Sequence, residues 1–182
     1  VVTSFSQTQR KPYESEINSA IQMIHTGKHL NAAQSLLYLS KTMSPTPQKV
    51  RVKYLLGLSL MELGLNQTAA FQFAEVIRSG DTTWLKPSIE KLLIVTDRLG
   101  DETLFNYAVQ RADIGQIQIQ SREMIYYKLA EIKHGAGLYK EAIDYYSKVT
   151  PSSRYYYSAL YNMGLAQAEA NEVDLALQSF NR

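Results

Sequence analysis

The chain contains no cysteine among its 182 residues, which excludes disulfides, thiol nucleophiles and cysteine-based zinc sites. The chain also lacks a large excess of charge of either sign, since its 19 basic and 17 acidic residues give a formal net charge of +2. Such a surface has no general attraction for phosphate backbones or anionic lipid, so we predict no nucleic-acid partner. No apolar run approaches the roughly 18 residues of a membrane span, and no signal-peptide pattern is present, so we predict no direct membrane insertion. A cytoplasmic and a bacterial periplasmic location both stay open.

The usual motifs of catalysis and of cofactor binding are also absent from the sequence. It has no Gly-x-Ser-x-Gly nucleophile elbow and neither of the common glycine-rich phosphate loops. His25 and His29 have the spacing of metal ligands on a helix, but Gly27 lies between them at a predicted turn. No acidic cluster completes a site there. We therefore predict a protein that is not an enzyme, with no catalytic residue, no metal and no cofactor.

Apolar residues at helical spacing are what the chain does contain, and they predict an all-α fold. Residues 1–12 are polar and aperiodic and are predicted to form a flexible leader. The remainder, 13–182, divides into five predicted helix pairs, at about 13–44, 47–81, 83–115, 120–151 and 153–182. The last pair has no polar capping helix after it, so we expect the natural protein to continue beyond residue 182.

Several local signals place the helix ends. Two prolines within Ser44-Pro45-Thr46-Pro47 predict a break, Asn66 is a predicted N-cap, and Pro87 is predicted to fall in the first turn of its helix. Residues 113–120 alternate apolar and polar as a strand does. We interpret them as a loop with helical ends, because a single strand would have no partner.

The predicted turns between paired helices are marked by Gly27, Gly64, Gly100, Gly137 and Asn171, which are 37, 36, 37 and 34 residues apart. A near-constant period in this range, with two helices per unit, predicts an α-solenoid. Asn suits the last turn, because Asn follows Gly in its tolerance of a left-handed backbone.

The repeated unit resembles the tetratricopeptide repeat. In that motif a Leu-Gly pair on the first helix precedes Gly-x-Tyr at the turn, and Ala and an aromatic residue follow on the second helix. The matching residues are Leu56, Gly57, Gly64, Ala69 and Phe73 in the second unit; Gly137, Tyr139, Ala142 and Tyr146 in the fourth; and Leu160, Gly164, Ala176 and Phe180 in the fifth. The first unit matches more loosely, and the third departs most, with Leu93 and Phe105 where small residues are expected.

The resemblance implies a right-handed superhelix of about five repeats whose first helices line a concave groove, and an adaptor that binds a peptide or helical segment of another protein there. In register, Tyr54, Tyr127 and Tyr161 occupy one groove position, followed by Leu58, Glu131 and Leu165, and then by Met61, His134 and Ala168. Arg51, Glu62, Glu90, Asp97 and Arg98 are predicted at the rim. The predicted binding residues are Arg51, Tyr54, Leu58, Met61, Glu90, Arg98, Tyr127, Glu131, Tyr161 and Leu165.

Aromatic residues and Met favour an apolar or amphipathic partner segment. Family members that clamp a C-terminal carboxylate use Lys and Asn at fixed groove positions, where this chain has mostly Ile, Leu, Tyr or Glu, so that ligand is not expected. Two other functions stay open. One is self-association or stacking on further repeats. The other is RNA binding by a related helical repeat, which the near-zero net charge disfavours.

Overall fold

The structure is a computed structural model that describes residues 13–182, with Ile119 and Gln120 described by their backbone alone. The predicted leader, 1–12, lies outside the described residues. Within 13–182 the fold is all-helical, with no strand and a 3-10 turn at Ile114–Gln116. The α-helices are α1 (Glu14–His25), α2 (His29–Thr42), α3 (Pro47–Glu62), α4 (Asn66–Ser79), α5 (Thr82–Leu99), α6 (Glu102–Val109), α7 (Ile119–Gly135), α8 (Tyr139–Ser147), α9 (Tyr156–Glu169) and α10 (Val173–Phe180).

The five predicted turn markers all adopt the left-handed conformation. Gly27, Gly64, Gly100 and Gly137 have φ between 66° and 74°, and Asn171 has φ 63°. This conformation costs an ordinary L-residue roughly 1–2 kcal/mol, and glycine avoids that cost. Each turn closes one helix and directs the next one back along it.

Glycine also allows close helix packing at two positions inside helices. A Cβ on Gly57 of α3 would lie 2.7 Å from the Phe73 ring of α4, and one on Gly164 of α9 would lie 2.5 Å from the Phe180 ring of α10. The two pairs occupy equivalent places in their repeats. The aromatic side chain of the second helix therefore fills the space that a side chain on the first helix would occupy.

The chain divides into two compact units, 1–91 and 92–182, and the division falls within α5. In the described part of the first unit, α1 packs on α2, α2 on α3, and α3 on α4. The core of this unit consists of side chains with almost no exposed surface, among them Ile17, Leu36, Val52, Leu56, Phe73 and Val76.

In the second unit α7 packs on α8, α8 on α9, and α9 on α10. The core between α7, α8 and α9 is built from small residues and a few large ones: Ala130, Ala142, Tyr146, Val149, Ala159, Leu160, Met163 and Ala166. Because alanine lets the helix backbones approach closely, the tyrosine side chains can close the remaining gaps. Tyr146 is therefore a core residue, as the repeat register predicts.

Two of the predicted helix starts are wrong. The Asp81 carboxylate accepts hydrogen bonds from the backbone N–H groups of Thr83 (2.9 Å) and Trp84 (3.2 Å), so α5 begins at Thr82. Pro87 therefore lies inside the helix, beyond its first turn. Asn66 is the first residue of α4 and makes no capping bond, because the Leu65 carbonyl accepts the first bond of the helix, from the backbone N–H of Ala69 (2.9 Å), and Leu65 is therefore the cap.

The third repeat is the least regular, in agreement with its weak motif. Its first helix, α5, is the longest described, with 18 residues, and contains Pro87 in its interior, while its second helix, α6, has 8. Leu93 and Phe105, the large residues at positions for small ones, are both fully buried. Residues 113–120 form the predicted loop with helical ends, since a 3-10 turn occupies 114–116 and α7 begins at Ile119.

Candidate partner-binding surface

The predicted groove residues of the first unit are largely buried. The Tyr54 side chain is only 9% exposed, and its ring packs 6.0 Å from that of Phe73 and 4.8 Å from that of Trp84. Met61 is also buried, and Leu58 is half-buried. Trp84, at the start of α5, covers the face of α3 that the repeat register assigns to the groove. Tyr54 and Met61 therefore stabilise this unit and leave little surface for a ligand.

The predicted polar residues of the first unit contact neighbours within that unit. Arg51 Nη1 lies 2.8 Å from Glu14 Oε1, which links α3 to α1. Glu90 is half-buried beside Tyr54. Burial, and secondarily the negative charge of Glu90, raise the pKa of the Tyr54 phenol above its ordinary value. These contacts join helices of successive repeats.

Tyr127, on α7, lies at the centre of an aromatic cluster in the second unit. Its ring stacks on that of Tyr155 at 5.1 Å and 22° and lies 5.9 Å from the Tyr146 ring. The Asn162 amide of α9 donates a hydrogen bond to Tyr127 Oη at 3.1 Å. Burial, followed by the charge of Glu131, raises the pKa of Tyr127 to about 12, so the phenol is neutral at physiological pH.

One helical turn further along α7, the surface opens into a cleft of about 660 Å³ that we call the His134 cleft. Its lining comprises Glu131, His134, Gly135, Ala136, Gly137, Tyr139, Tyr146, Asn162 and Glu169. His134 Nε2 lies 2.9 Å from Glu169 Oε2 on α9. The rings of Tyr139 and Tyr146 meet the His134 ring edge-on, at 5.9 and 6.4 Å. The cleft thus combines aromatic walls with two carboxylates.

Tyr161 and Leu165 follow on α9. The Tyr161 side chain is 59% exposed, with its ring 5.8 Å from that of Phe180, and Leu165 is half-buried. Tyr161 occupies the same repeat position as Tyr127. Among the described residues, none stacks on the Tyr161 ring or donates a hydrogen bond to its hydroxyl as Tyr155 and Asn162 do for Tyr127. The same repeat position is therefore partly covered on α7 and open on α9.

Arg98 lines a separate cleft of about 570 Å³, formed by the end of α5, the start of α7 and the segment before α9. Asp97, Glu123 and Arg154 also line it. The buried Glu123 carboxylate accepts hydrogen bonds from the backbone N–H and the hydroxyl of Thr150. Basic and acidic side chains balance in this cleft, so it favours neither sign of ligand charge.

Asn162, Glu169, Tyr155 and Trp84 were not predicted from the sequence. The sequence does contain a spacing that could have predicted Asn162 and Glu169. The Asn162–Tyr127 and Glu169–His134 contacts each join residues 35 positions apart, which is one repeat length of 34 plus one. First helices of successive repeats therefore meet at this offset in the second unit. Tyr155 and Trp84 lie at helix starts and have no such signal.

Nothing in the described part of the chain resembles a metal centre, since no group of three or more His, Asp or Glu side chains is placed to hold an ion. His25 ends α1 and His29 begins α2, so they do not share a helical face. No helix among residues 13–182 is both long and apolar enough to cross a membrane. The clefts offer hydrogen-bond donors, carboxylates and aromatic faces, which suit reversible binding.

A tetratricopeptide-repeat family model matches residues 158–182, which include most of α9 and all of α10. Solved structures share the fold along nearly the whole chain. One titled as the crystal structure of MamA protein aligns with a TM-score of 0.68 at 21% identity, covering 92% of this chain and 87% of that one. The chain has the fold of tetratricopeptide-repeat structures, and its last hairpin matches the model of that family.

Two further matches agree with this assignment. A second crystal structure of MamA aligns with a TM-score of 0.63 at 20% identity, over 89% of this chain and 90% of that one. A Podosopora anserina chain described as a kinesin light chain with nearly identical TPR-like repeats aligns with a TM-score of 0.57 at 14% identity, over 93% of this chain and 92% of that one. No curated protein matches the sequence. At these identities the likeness shows the fold alone.

Proposed function

We propose that the repeat protein is an adaptor that binds a peptide or helical segment of another protein along α7 and α9, and that it performs no chemistry on it. The observation that carries this proposal is the pairing of these two first helices through Tyr127–Asn162 and His134–Glu169, beside an open cleft. The contacts hold the surface in place before a partner arrives. A preformed surface lowers the ordering cost of binding.

The open residues of this surface are suited to a segment of mixed character. Tyr161 and Leu165 offer apolar area on α9, while Glu131, Asn162 and Glu169 offer polar groups that can orient a backbone. Aromatic residues are enriched at interfaces because one ring supplies both apolar area and, in tyrosine, a hydrogen-bonding group. This supports a segment that alternates apolar and polar contacts along α7 and α9.

The proposal is tested by selecting binders from a displayed library of random fifteen-residue peptides and measuring their affinity for variants by isothermal titration calorimetry. We expect Tyr161→Ser to weaken selected peptides by about tenfold or more, as loss of an interface aromatic does. Tyr161 is 59% exposed, so the substitution removes little core packing. Circular dichroism and thermal melting should accordingly stay close to those of the wild-type chain.

The matched control is Tyr38→Ser on α2, because Tyr38 is also an exposed tyrosine, at 68%. It should leave peptide affinity unchanged. Equal losses from Tyr38→Ser and Tyr161→Ser, or selected peptides insensitive to Tyr161→Ser, would contradict binding along α9. Tyr54→Ala is not a suitable probe, since removing a buried aromatic ring costs about 3–5 kcal/mol of stability.

A second candidate function, stacking on another helical chain or a second copy, is favoured by the exposed apolar face of the last hairpin. Leu177 and Phe180 of α10 are exposed, whereas the corresponding residues of the fourth repeat, Ile143 and Tyr146, are half-buried and buried. Another helix could cover this face as α9 covers that of α8. Multi-angle light scattering should then show an assembly that Leu177→Ser dissociates. A monomer at all concentrations would exclude self-stacking through this face.

A further inference from the structure

We propose that the His134 cleft binds a basic side chain, a lysine ammonium or an arginine guanidinium, of the partner segment. This inference rests on the proposed function and specifies the chemistry of the partner. The cleft is lined by the carboxylates of Glu131 and Glu169 and by no Lys or Arg side chain. A segment that brings one positive charge to this cleft therefore meets complementary charge at its walls.

The two carboxylates are placed so that a cation can reach them. The Glu131 side chain is half-exposed and makes a 3.2 Å ion pair with Lys128, which is not part of the lining. The Glu169 side chain is 52% exposed and pairs with His134 at 2.9 Å. In each pair the carboxylate is the more exposed partner, since the Lys128 and His134 side chains are 21% and 19% exposed. Partly exposed pairs contribute about 1 kcal/mol or less, so a ligand cation can compete for the carboxylates at small cost.

Aromatic rings form the remaining walls and add a second attraction for a cation. The half-buried Tyr139 lines the cleft with its ring edge-on to that of His134, while Tyr146, also a lining residue, is almost fully buried and offers no open ring face. The face of a tyrosine ring carries negative electrostatic potential, and it attracts an ammonium or guanidinium group within about 6 Å. The combination of a ring face and carboxylates thus selects a basic side chain over a neutral aliphatic one of the same length.

The buried hydroxyl of Tyr146 is a further polar group at this wall of the cleft. Tyr146 is 2% exposed, and its hydroxyl makes no hydrogen bond of good geometry, although the Asn162 amide lies beside it. A buried polar group without a partner costs about 1–3 kcal/mol. A bound segment that places a backbone carbonyl at this wall would give the phenol proton an acceptor.

The approach to the cleft is open on the side of the α7–α8 turn. A Cβ added to Gly135 or to Gly137 would meet no atom within 4 Å, and both residues are exposed. A partner backbone can therefore pass over the turn while its side chain enters between Tyr139 and Glu169. The other cleft, lined by Arg98 and Arg154, has no comparable preference for a cation.

The test uses four capped pentapeptides, Gly-Ala-x-Ala-Gly with x as Arg, Lys, norleucine or Glu, titrated into the isotopically labelled chain and followed by NMR. We expect the Arg and Lys peptides to shift backbone amides of 131–139 and of 162–169. The norleucine and Glu peptides should leave them in place. The norleucine peptide is the neutral match for lysine, so it separates charge from chain length.

Glu131→Gln combined with Glu169→Gln should weaken binding of the Arg and Lys peptides by about three- to tenfold, because each partly exposed carboxylate contributes about 1 kcal/mol or less. Glu141→Gln is the matched control, because the Glu141 side chain is also 52% exposed and pairs with Lys133 outside the cleft. It should not change binding. The inference would be overturned if the norleucine and lysine peptides bound equally well, or if Glu141→Gln weakened binding as much as the double variant. It would also be overturned if no peptide shifted any amide resonance.

These outcomes are distinguishable from failure of the proposed function. One distinguishing result is a set of selected peptides that require Tyr161 for binding, contain no basic residue and bind the Glu131→Gln and Glu169→Gln variants with unchanged affinity. That result would overturn the basic-side-chain inference but leave the adaptor proposal standing. Pentapeptide binding at the His134 cleft without any Tyr161-dependent peptide would do the reverse.

Discussion

Adding one methyl group at each of two equivalent glycines should have very different effects on stability. In Gly57→Ala the new Cβ lies 2.7, 2.9 and 3.0 Å from three atoms of the Phe73 ring. Phe73 is fully buried and packs against Tyr54 at 6.0 Å, so its ring has no free space to enter. Overpacking of this kind costs about 1–3 kcal/mol, against a gain of about 1 kcal/mol from replacing Gly by Ala in a helix. We expect a net destabilisation of up to about 2 kcal/mol, because the buried ring has nowhere to move.

Gly164→Ala makes the same contact with a ring that can move. The new Cβ would lie 2.5 and 2.8 Å from atoms of Phe180, but Phe180 is 44% exposed near the end of α10. Rotation of this side chain into solvent relieves the clash. The helix-propensity gain of about 1 kcal/mol then offsets most of the cost, and we expect a change within about 0.5 kcal/mol of zero.

The assay is urea unfolding followed by far-ultraviolet circular dichroism, with both variants measured beside the wild-type chain. Repeat proteins unfold with limited cooperativity, so the comparison rests on the difference between the two variants rather than on absolute values. A loss from Gly164→Ala as large as that from Gly57→Ala would refute the argument that exposure of the facing ring decides the cost.

Two other predictions concern the buried phenols. The pKa of Tyr127 in the folded chain is about 12, raised from 10.0, so its contribution to stability is complete below pH 10 and is lost as pH rises through 12, because the unfolded phenol ionises first. Because solvent reaches the half-buried ring, the unfolding free energy should fall by about 1 kcal/mol over this pH range. Unfolding measured against pH should show no such fall in Tyr127→Phe, whereas the control Tyr38→Phe, which changes an exposed ring, should show the same fall as the wild-type chain. Tyr146→Phe deletes a buried hydroxyl that makes no hydrogen bond of good geometry. It should leave the unfolding free energy unchanged or raise it by up to about 1 kcal/mol, whereas a decrease above about 1 kcal/mol in the same assay would mean that the hydroxyl bonds to the neighbouring Asn162 amide or to ordered water.

The helical turns could be predicted from the sequence because their cause is local. Gly64 or Gly137 stands where the backbone must be left-handed, and Asn171 substitutes for glycine at the same place with φ 63°. The close contacts of Gly57 with Phe73 and of Gly164 with Phe180 follow from the same repeat motif. The fixed repeat period therefore predicts both the position of each turn and the residues that pack inside each hairpin.

The surface was harder to predict because it depends on which neighbouring side chain reaches each position. Tyr54 and Tyr127 share a repeat position, yet Trp84 covers Tyr54 while Tyr155 and Asn162 leave Tyr127 half-buried. Those neighbours come from helix starts and from an adjacent first helix, and the repeat motif does not specify them. The irregular third repeat adds to the difficulty, since Asp81 starts α5 earlier than the periodicity indicates.

The most direct test of the adaptor proposal is to locate a library-selected peptide on the chain by intermolecular NOEs to tyrosine ring protons. The proposal predicts NOEs to Tyr127, Tyr139 and Tyr161, along α7 and α9 and into the His134 cleft. NOEs to Tyr38 on α2, with none to the rings of α7 and α9, would contradict it.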